Sequence, residues 1–241
     1  HRAPLTPYGA GSGVCGGAVA HGGVTVDLKR LRGVSIDADS AAVTFEPGVL
    51  GTHLEARVNR AGFTLGHFPS SIMCSTGGGW LATRGAGQCS SKYGKIEDRV
   101  RSLEVVTGTG ATMHIDSLAE GPDLVQLLCG SEGTLGIITR ATCSLSPLPA
   151  ARRMRGWNLP DVAAGCEGIR RVLQRGLRPA VLRLYDELDT LISSSRDPRA
   201  EPEPPREARP ILRDEAPSLD EWLDMLRPDA ARAKSGLTRW L

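Results

Sequence analysis

Short apolar segments alternate with glycine turns through the first 147 residues. Two segments have apolar residues at helical spacing and end at glycine, residues 51–62 and 122–130, and these predict helices. Five others show β-branched alternation or a short apolar run and predict strands: GGVTVDL (22–28), AAVTFEPG (41–48), SLEVVTGTG (102–110), ATMHI (111–115) and GIITRATCSLSP (136–147). Strands with interleaved helices predict an α+β domain over residues 1–147.

The pattern changes after two prolines at 147 and 149. Residues 152–159 and 179–186 each predict a strand, and between them a helix is predicted from beside Pro160 to Gly176. That helix carries one apolar stripe, made by Val162, Cys166, Ile169 and Leu173. A strand-helix-strand unit predicts the incomplete beginning of a second domain over residues 148–192.

The remaining chain is of two kinds. Residues 193–217 are rich in proline, arginine and glutamate, a composition that predicts a linker. Residues 218–241 begin with SLDEWLDMLRPD, in which Ser218 and Glu221 have the spacing of a helix capping box. This segment predicts a short amphipathic helix whose apolar side is Leu219, Trp222, Leu223 and Leu226.

Composition narrows the class of protein. A formal net charge of +2 with scattered basic residues argues against a nucleic-acid partner. No apolar run reaches the roughly twenty residues of a transmembrane helix, and the six cysteines lack metal-site spacing, so we expect reduced, mostly buried thiols, no metal and a cytoplasmic protein. Because the sequence opens at His1 and meets a glycine loop within ten residues, we expect an N-terminally truncated domain.

Three glycine-rich segments are candidates for anion binding. GSGVCG (11–16) satisfies G-x-G-x-x-G, but the further glycines behind it would break the helix that a dinucleotide-binding Rossmann turn requires. PYGAGSGVCGG (7–17) is instead interpreted as a loop whose N–H groups face a phosphate. CSTGGGWLATRGAG (74–87) predicts a second such loop, with Arg84 as a charged donor, and GSEGTLGIIT (130–139) a third.

Together these segments resemble a known family. PYGAGSG, GHFPSSIMCSTGGGWLATRGAG with KYGKIEDRV, and GPDLVQLLCGSEGTLGIIT occur in the order and spacing of the vanillyl-alcohol-oxidase-type, or PCMH-type, FAD-binding domain. The sequence is most similar to the alkyldihydroxyacetonephosphate synthase (alkylglycerone-phosphate synthase) branch, from about Pro7 to Asp186. The resemblance implies noncovalent FAD, a small-molecule, lipid-like substrate and the start of an α+β cap domain after the FAD-binding domain, and it allows a homodimer.

The resemblance also implies which residues contact FAD. Ala10, Ser70 and Met73 depart from the residues usual there, and Ala10 fits only if its φ is negative. The implied cofactor-binding residues are Pro7, Tyr8, Gly9, Ala10, Gly11, Ser12, Gly13, Ser70, Ser71, Ser75, Thr76, Thr83, Arg84, Gly85, Ala86, Glu132, Gly133, Thr134, Leu135, Gly136, Ile137 and Ile138.

Two further residues are candidates for roles in the chemistry. Arg183 falls mid-strand among apolar neighbours and needs a partner, which could be Asp186 or Glu187. It also matches the arginine of the synthases' R-L-x-D motif, so the resemblance implies a catalytic role beside the flavin or on a substrate phosphate. His67 has no neighbouring carboxylate in sequence, which favours packing over proton transfer.

Three functions therefore stay open. The synthase type exchanges an acyl chain for a fatty alcohol on a dihydroxyacetone-phosphate ester through a flavin adduct, a step of ether lipid biosynthesis. Related enzymes oxidise 2-hydroxy acids such as lactate or glycolate. The third alternative is a catalytically inactive FAD-binding remnant, because the proline-rich segment stands where a complete cap would continue.

Overall fold

The computed structural model describes residues 3–189, and its centre is one five-stranded antiparallel sheet. The strand order is β3-β4-β8-β6-β7, so the long strands β6 and β8 lie inside and β3 and β7 form the edges. The strands are β3 (Val34–Asp37), β4 (Ala42–Phe45), β6 (Val100–Val106), β7 (Thr112–Asp116) and β8 (Ile137–Ser144).

Alternation along these strands places one face of the sheet in the core. On β4, Val43 and Phe45 are almost completely buried, and in β8 they pair with Cys143 and Ala141, which are buried as well. The β6–β8 register shifts between Val100 and Ser102 and again between Glu104 and Val105. Such irregularities bend and twist the strand locally.

Two small sheets and several helices accompany this sheet within residues 3–189. The parallel pair β1–β2 leads into the first glycine loop, and β5 pairs with β9 in a short antiparallel pair. The remaining strands are β1 (Leu5–Tyr8), β2 (Val24–Asp27), β5 (Phe63–Thr64) and β9 (Ser146–Pro147). The helices are α1 (Gly51–Arg60), α2 (Gly77–Ala82), α3 (Ser90–Tyr93), α4 (Leu124–Leu128) and α5 (Val162–Gln174), with a 3-10 turn at Glu97–Arg99.

Helix α1 covers the core with Leu54 and Val58, both fully buried. It also buries the carboxylate of Glu55, which accepts hydrogen bonds from the Asn59 amide at 2.8 Å and the Leu65 backbone N–H at 3.1 Å. Burial raises the pKa of Glu55, although these hydrogen bonds oppose the shift. A buried carboxylate held on both sides fixes α1 against β5.

The five expected strands and the three expected helices are present, but two further strand predictions are wrong. Residues 152–159 and 179–186 form no strand, because neither segment has a hydrogen-bonding neighbour strand among the residues described. The strands β1, β3 and β5 and the helices α2 and α3 were not predicted. These strands are two to four residues long, and β1 and β5 depend on partners distant in sequence.

The structure also bears on the expectations for the cysteines, for membrane-spanning helices and for the segments after residue 192. Only Cys129 and Cys143 are buried, whereas Cys15, Cys74 and Cys166 are exposed, so the expectation of mostly buried thiols is wrong. Within residues 3–189, no helix has the length and apolar content to cross a membrane. The linker predicted at 193–217 and the helix predicted at 218–241 lie outside the described residues.

Candidate functional site

A cavity of about 540 Å³ lies where the three glycine segments meet. This volume is in the range of small-molecule and cofactor sites. Its walls are the loop after β1, the turn at residues 69–71, one side of α2 with the residues behind it, and residues 131–138 at the start of β8. The fold thus brings together segments that are more than a hundred residues apart in the chain.

The first glycine loop offers a row of free hydrogen-bond donors. Within the described part of the chain, the N–H groups of Gly9 to Gly13 donate no hydrogen bond. Gly11 has a φ of 71°, and the Tyr8 ring lies beneath it so closely that a Cβ at Gly11 would be 2.6 Å from the Tyr8 hydroxyl oxygen. Ala10 does not have positive φ, which satisfies the condition set for an alanine there. Unpaired N–H groups on a glycine-shaped turn suit an anion.

The second segment is a helix at its centre, so the prediction of a loop over residues 74–87 is wrong there. Three consecutive glycines open α2 even though each costs about 1 kcal/mol of helix propensity relative to alanine. Packing explains them, since a Cβ at Gly77 would lie 2.5 Å from the Phe45 ring and one at Gly78 would lie 2.4 Å from Pro47. Thr76 caps the helix by accepting a hydrogen bond from the Gly79 N–H at 3.3 Å.

A hydrogen-bond relay fixes the aromatic wall of the cavity. The Trp80 indole N–H donates to the Ser75 hydroxyl at 2.7 Å, and that hydroxyl donates to the Ser71 carbonyl oxygen at 2.7 Å. Trp80 is nearly completely buried and lines the cavity. The hydroxyl of Ser75 is therefore used inside the protein.

The third segment is tied to α2 by backbone hydrogen bonds. The Gly130 N–H donates to the Leu81 carbonyl at 2.9 Å, and the Glu132 N–H donates to the Ala82 carbonyl at 3.1 Å. Glu132 has a φ of 49°, a left-handed conformation that is uncommon for glutamate. Gly133 lies so close to Pro7 that a Cβ there would be 2.4 Å from the proline ring. These contacts hold the third segment against α2 and against Pro7 of the first segment.

Most of the residues implied to bind a cofactor line this cavity. The exceptions are Tyr8 beneath the first loop, Arg84, and Thr134 and Leu135 on the outer side of the third segment. The lining residues among those implied are Pro7, Gly9, Ala10, Gly11, Ser12, Gly13, Ser70, Ser71, Ser75, Thr76, Thr83, Gly85, Ala86, Glu132, Gly133, Gly136, Ile137 and Ile138.

Arg84 lies beside the cavity with its guanidinium group engaged elsewhere. It has a φ of 50°, its Nε donates to the Cys129 carbonyl at 2.8 Å, and its Nη2 donates to the Gln126 carbonyl. The guanidinium group thus braces the residues after α2 against the end of α4. These contacts let Arg84 position the third segment, and its direct contact with an anion stays a prediction.

Arg183 is also absent from the cavity wall. It is exposed in the irregular segment 181–186, and its Nη1 donates to the Tyr185 hydroxyl at 3.5 Å. The strand on which its mid-strand placement rested is not formed. A catalytic role for Arg183 stays a prediction.

His67 packs directly behind the aromatic wall. Its ring meets that of Trp80 edge to face at 4.7 Å, it is 2% exposed, and neither ring nitrogen has a hydrogen-bond partner among the described residues. Burial lowers the pKa of His67 to about 4, against an opposing influence of Glu97. The buried histidine is therefore neutral near pH 7.

Several cavity residues were not predicted. Cys15 and Gly17 extend the first loop, and Leu28 and Pro47 close the cavity from turns distant in sequence. Cys15 and Gly17 stood inside the glycine motif and could have been found from it. Leu28 and Pro47 carried no sequence signal, because their position depends on the turn in which the Gly48 N–H donates to the Leu31 carbonyl at 2.7 Å.

The chemistry of the cavity suits a ligand with both apolar and anionic parts. Over residues 3–189, its wall has no lysine, arginine or histidine, and Glu132 is its one carboxylate. An anion would be held by the loop N–H groups and by hydroxyls such as that of Ser12. Trp80, Ile137 and Ile138 supply apolar surface for an aromatic body. The residues present therefore fit a dinucleotide such as FAD.

Comparison with known proteins agrees with this geometry. The family model described as FAD binding domain matches residues 1–116. Alkyldihydroxyacetonephosphate synthase of Trypanosoma brucei brucei is 36% identical over 201 residues, which cover 80% of this chain and 33% of the relative. Glycolate oxidase subunit GlcD of Bacillus subtilis is 32% identical over 198 residues, which cover 80% of this chain and 42% of that relative.

A solved structure of alkyldihydroxyacetonephosphate synthase superimposes with a TM-score of 0.73 at 34% identity, covering 81% of this chain and 37% of that one. The chain thus spans about a third of the length of the synthases it matches. The match confirms the expected α+β fold of an FAD-binding domain.

Proposed function

We propose that this chain, whose residues 1–116 match the family model described as FAD binding domain, is the flavin-binding part of an enzyme of the alkyldihydroxyacetonephosphate synthase type. The observation that carries the proposal is the row of free N–H groups at Gly9 to Gly13, facing a cavity with apolar walls. The synthase-type reaction exchanges the acyl chain of a dihydroxyacetone-phosphate ester for a fatty alcohol. When bound, the flavin supplies an electron-accepting ring for that exchange.

The chain's own residues have three tasks in this proposal. The first loop donates hydrogen bonds to the pyrophosphate of FAD, where glycine permits close approach of the backbone. The Ser75–Trp80 relay holds the aromatic wall in one position. The Arg84 brace keeps Glu132 and Gly133 opposite the first loop, so the cavity is already formed before FAD enters.

The direct test is titration of the purified chain with FAD, in which binding is measured as quenching of flavin fluorescence. Gly9→Val should weaken FAD binding at least tenfold, because a Cβ at Gly9 would already lie 2.5 Å from the Thr76 hydroxyl. Gly108→Ala is the matched control, since a Cβ at Gly108 has no atom within 4 Å and the residue lies outside the cavity. A folded chain that takes up no FAD would refute the proposal.

Arg84 gives a second test of how the cavity is held. Arg84→Ala should weaken FAD binding through displacement of residues 130–133, and Arg84→Lys should behave similarly, because a single ammonium group cannot reproduce the two carbonyl contacts. Full affinity in Arg84→Lys would instead favour a direct charge contact with FAD.

Oxidation of a 2-hydroxy acid is the second candidate function. It is supported by the relationship to glycolate oxidase subunit GlcD, and by Ser70 and Met73, which depart from the residues usual in the synthases. The two functions differ in product. Synthase activity requires an ether product from a fatty alcohol, whereas the alternative requires anaerobic bleaching of the flavin by lactate or glycolate. Uptake of FAD with neither result would leave flavin binding alone as the function of this chain.

A further inference from the structure

Helix α5 leaves its apolar stripe uncovered. The stripe consists of Val162, Cys166, Ile169 and Leu173; Val162 is 50% exposed, Leu173 is 46% exposed, Cys166 is exposed as well, and Ile169 is partly buried. The helix instead packs through its small side, where Gly165 is buried and a Cβ would lie 2.4 Å from Leu184. A surface helix normally buries such a stripe.

The surroundings of the stripe are basic. From Val162 to Arg178 the sequence has four arginines and one acidic residue, Glu167, a net charge of +3. Glu167 is already paired with Arg170 at 2.6 Å and with Arg171 at 2.7 Å. Arg175 and Arg178 add to the positive charge at the end of α5. A partner for this surface should be apolar along one side and acidic around it.

One segment of the same chain has this chemistry. Residues 218–229 place Leu219, Trp222, Leu223 and Leu226 at the spacing of one helical face. They also have four acidic residues and one arginine, a net charge of −3. The 28 residues from 190 to 217 can span up to about 90 Å when extended, far more than the roughly 20 Å length of α5, so reach does not limit contact.

We propose that residues 218–229 bind in cis as an amphipathic helix along the apolar stripe of α5. Trp222 and Leu223 would contact the stripe, and the acidic residues would face the arginines beside it. This proposal is independent of the FAD site.

Cys166 makes the proposal measurable, because it lies on the stripe itself. Alkylation by iodoacetamide can be followed for each cysteine by mass spectrometry, in the native full chain and in urea. The ratio of unfolded to native rate gives a protection factor. We expect at least tenfold more protection for Cys166 than for Cys74, which is exposed in another part of the fold.

Variants of residues 218–229 then test whether this segment covers the stripe. Leu223→Asp should bring the protection of Cys166 to within about twofold of that of Cys74, whereas Met225→Asp, which adds the same charge beside the apolar side, should retain most of it. Cys143, fully buried in the sheet, should stay protected in every variant and shows that the core remains folded.

Three results would overturn the proposal. Cys166 reacting as fast as Cys74 in the unaltered chain would show an open stripe. Protection that persists in Leu223→Asp would assign the cover to another segment. Protection that falls on dilution would assign it to a second copy of the chain.

Discussion

The parts of the chain before and after Pro147 both form amphipathic helices, but these helices are stabilised by different contacts. All the buried large apolar residues described lie between Val43 and Leu145, whereas Gly165 is the buried residue of α5. Helices α1 and α5 are similar in length and both amphipathic, yet α1 buries Leu54 and Val58 completely while α5 exposes Val162 and Leu173. An amphipathic pattern predicts a helix well, but the apolar side of that helix stabilises the fold only when another surface buries it.

Helix α5 is stabilised almost entirely by contacts between residues close together in sequence. Asp161 caps it by accepting a hydrogen bond from the Ala164 N–H at 2.7 Å, Glu167 bridges two arginines, and Gly176 ends it with a φ of 76°. An N-cap of this kind is typically worth about 1 kcal/mol, and the exposed ion pairs add little because water screens them. The contrast with the sheet region can be tested by matched substitutions on the two sides of Pro147.

The largest difference is expected for leucine truncation. Leu54→Ala should lower the free energy of unfolding by about 2–5 kcal/mol, because it opens a cavity in a closed core. Leu159→Ala, a half-exposed residue beyond Pro147 that lies outside the apolar stripe of α5, should cost no more than about 1 kcal/mol. Urea denaturation followed by circular dichroism measures both values. Equal losses would contradict the difference in packing between the two regions.

The buried histidine should make the sheet region sensitive to acid. The pKa of His67 is lowered to about 4 in the folded chain, below its ordinary value of 6.5, so the unfolded state binds the proton more readily. Stability is therefore complete above about pH 6.5 and declines as the pH falls toward 4, with a loss of about 2 kcal/mol by pH 5.

His114, exposed on β7, provides the control for that measurement. Urea midpoints between pH 7.5 and pH 5 should depend less on pH in His67→Phe, whereas His114→Gln should leave the dependence almost unchanged. An unchanged dependence in His67→Phe would assign the acid sensitivity to other groups.

Replacing a helical glycine by alanine should change the stability in opposite directions in the two regions. Gly77→Ala should destabilise by about 1–2 kcal/mol, because the collision with Phe45 exceeds the gain in helix propensity. Gly168→Ala should stabilise by about 0.5–1 kcal/mol, since no atom lies within 4 Å of its Cβ position and its φ is not positive. Thermal midpoints that shift in the same direction would contradict this expectation.

The smallest effect is expected at Glu167. Its hydrogen bonds with Arg170 and Arg171 lower its pKa to about 2, so its contribution is present above about pH 4.5 and is lost as the pH falls toward 2. Glu167→Gln should slightly reduce helical circular dichroism at pH 7, and about 1 M salt should remove the difference because the pairs are exposed. A loss that persists in high salt would indicate a role beyond charge pairing.

Sequence reasoning succeeded where the signal was local. Leu54 and Val58 marked α1, and the glycine motifs located most of the cavity wall. It failed at α2, where three glycines predicted a loop, because the collisions with Phe45 and Pro47 that favour glycine become visible only in three dimensions. It also missed the contacts of Arg84 with the carbonyls of Cys129 and Gln126, which are more than forty residues away in the chain, while the contact of Arg84 with FAD stays a prediction. The residue types indicated the kind of site, but the directions of the side chains could be known only from the folded structure.

The Trp80–Ser75 hydrogen bond also has an optical consequence. It fixes an indole in the wall of the proposed flavin site, whereas Trp157 lies 74% exposed beyond Pro147. A buried indole emits at shorter wavelength than one in water, and an adjacent flavin would accept its excitation energy. Binding of FAD should thus preferentially remove the blue side of the emission spectrum, so that the protein reports occupation of its cavity without any added label.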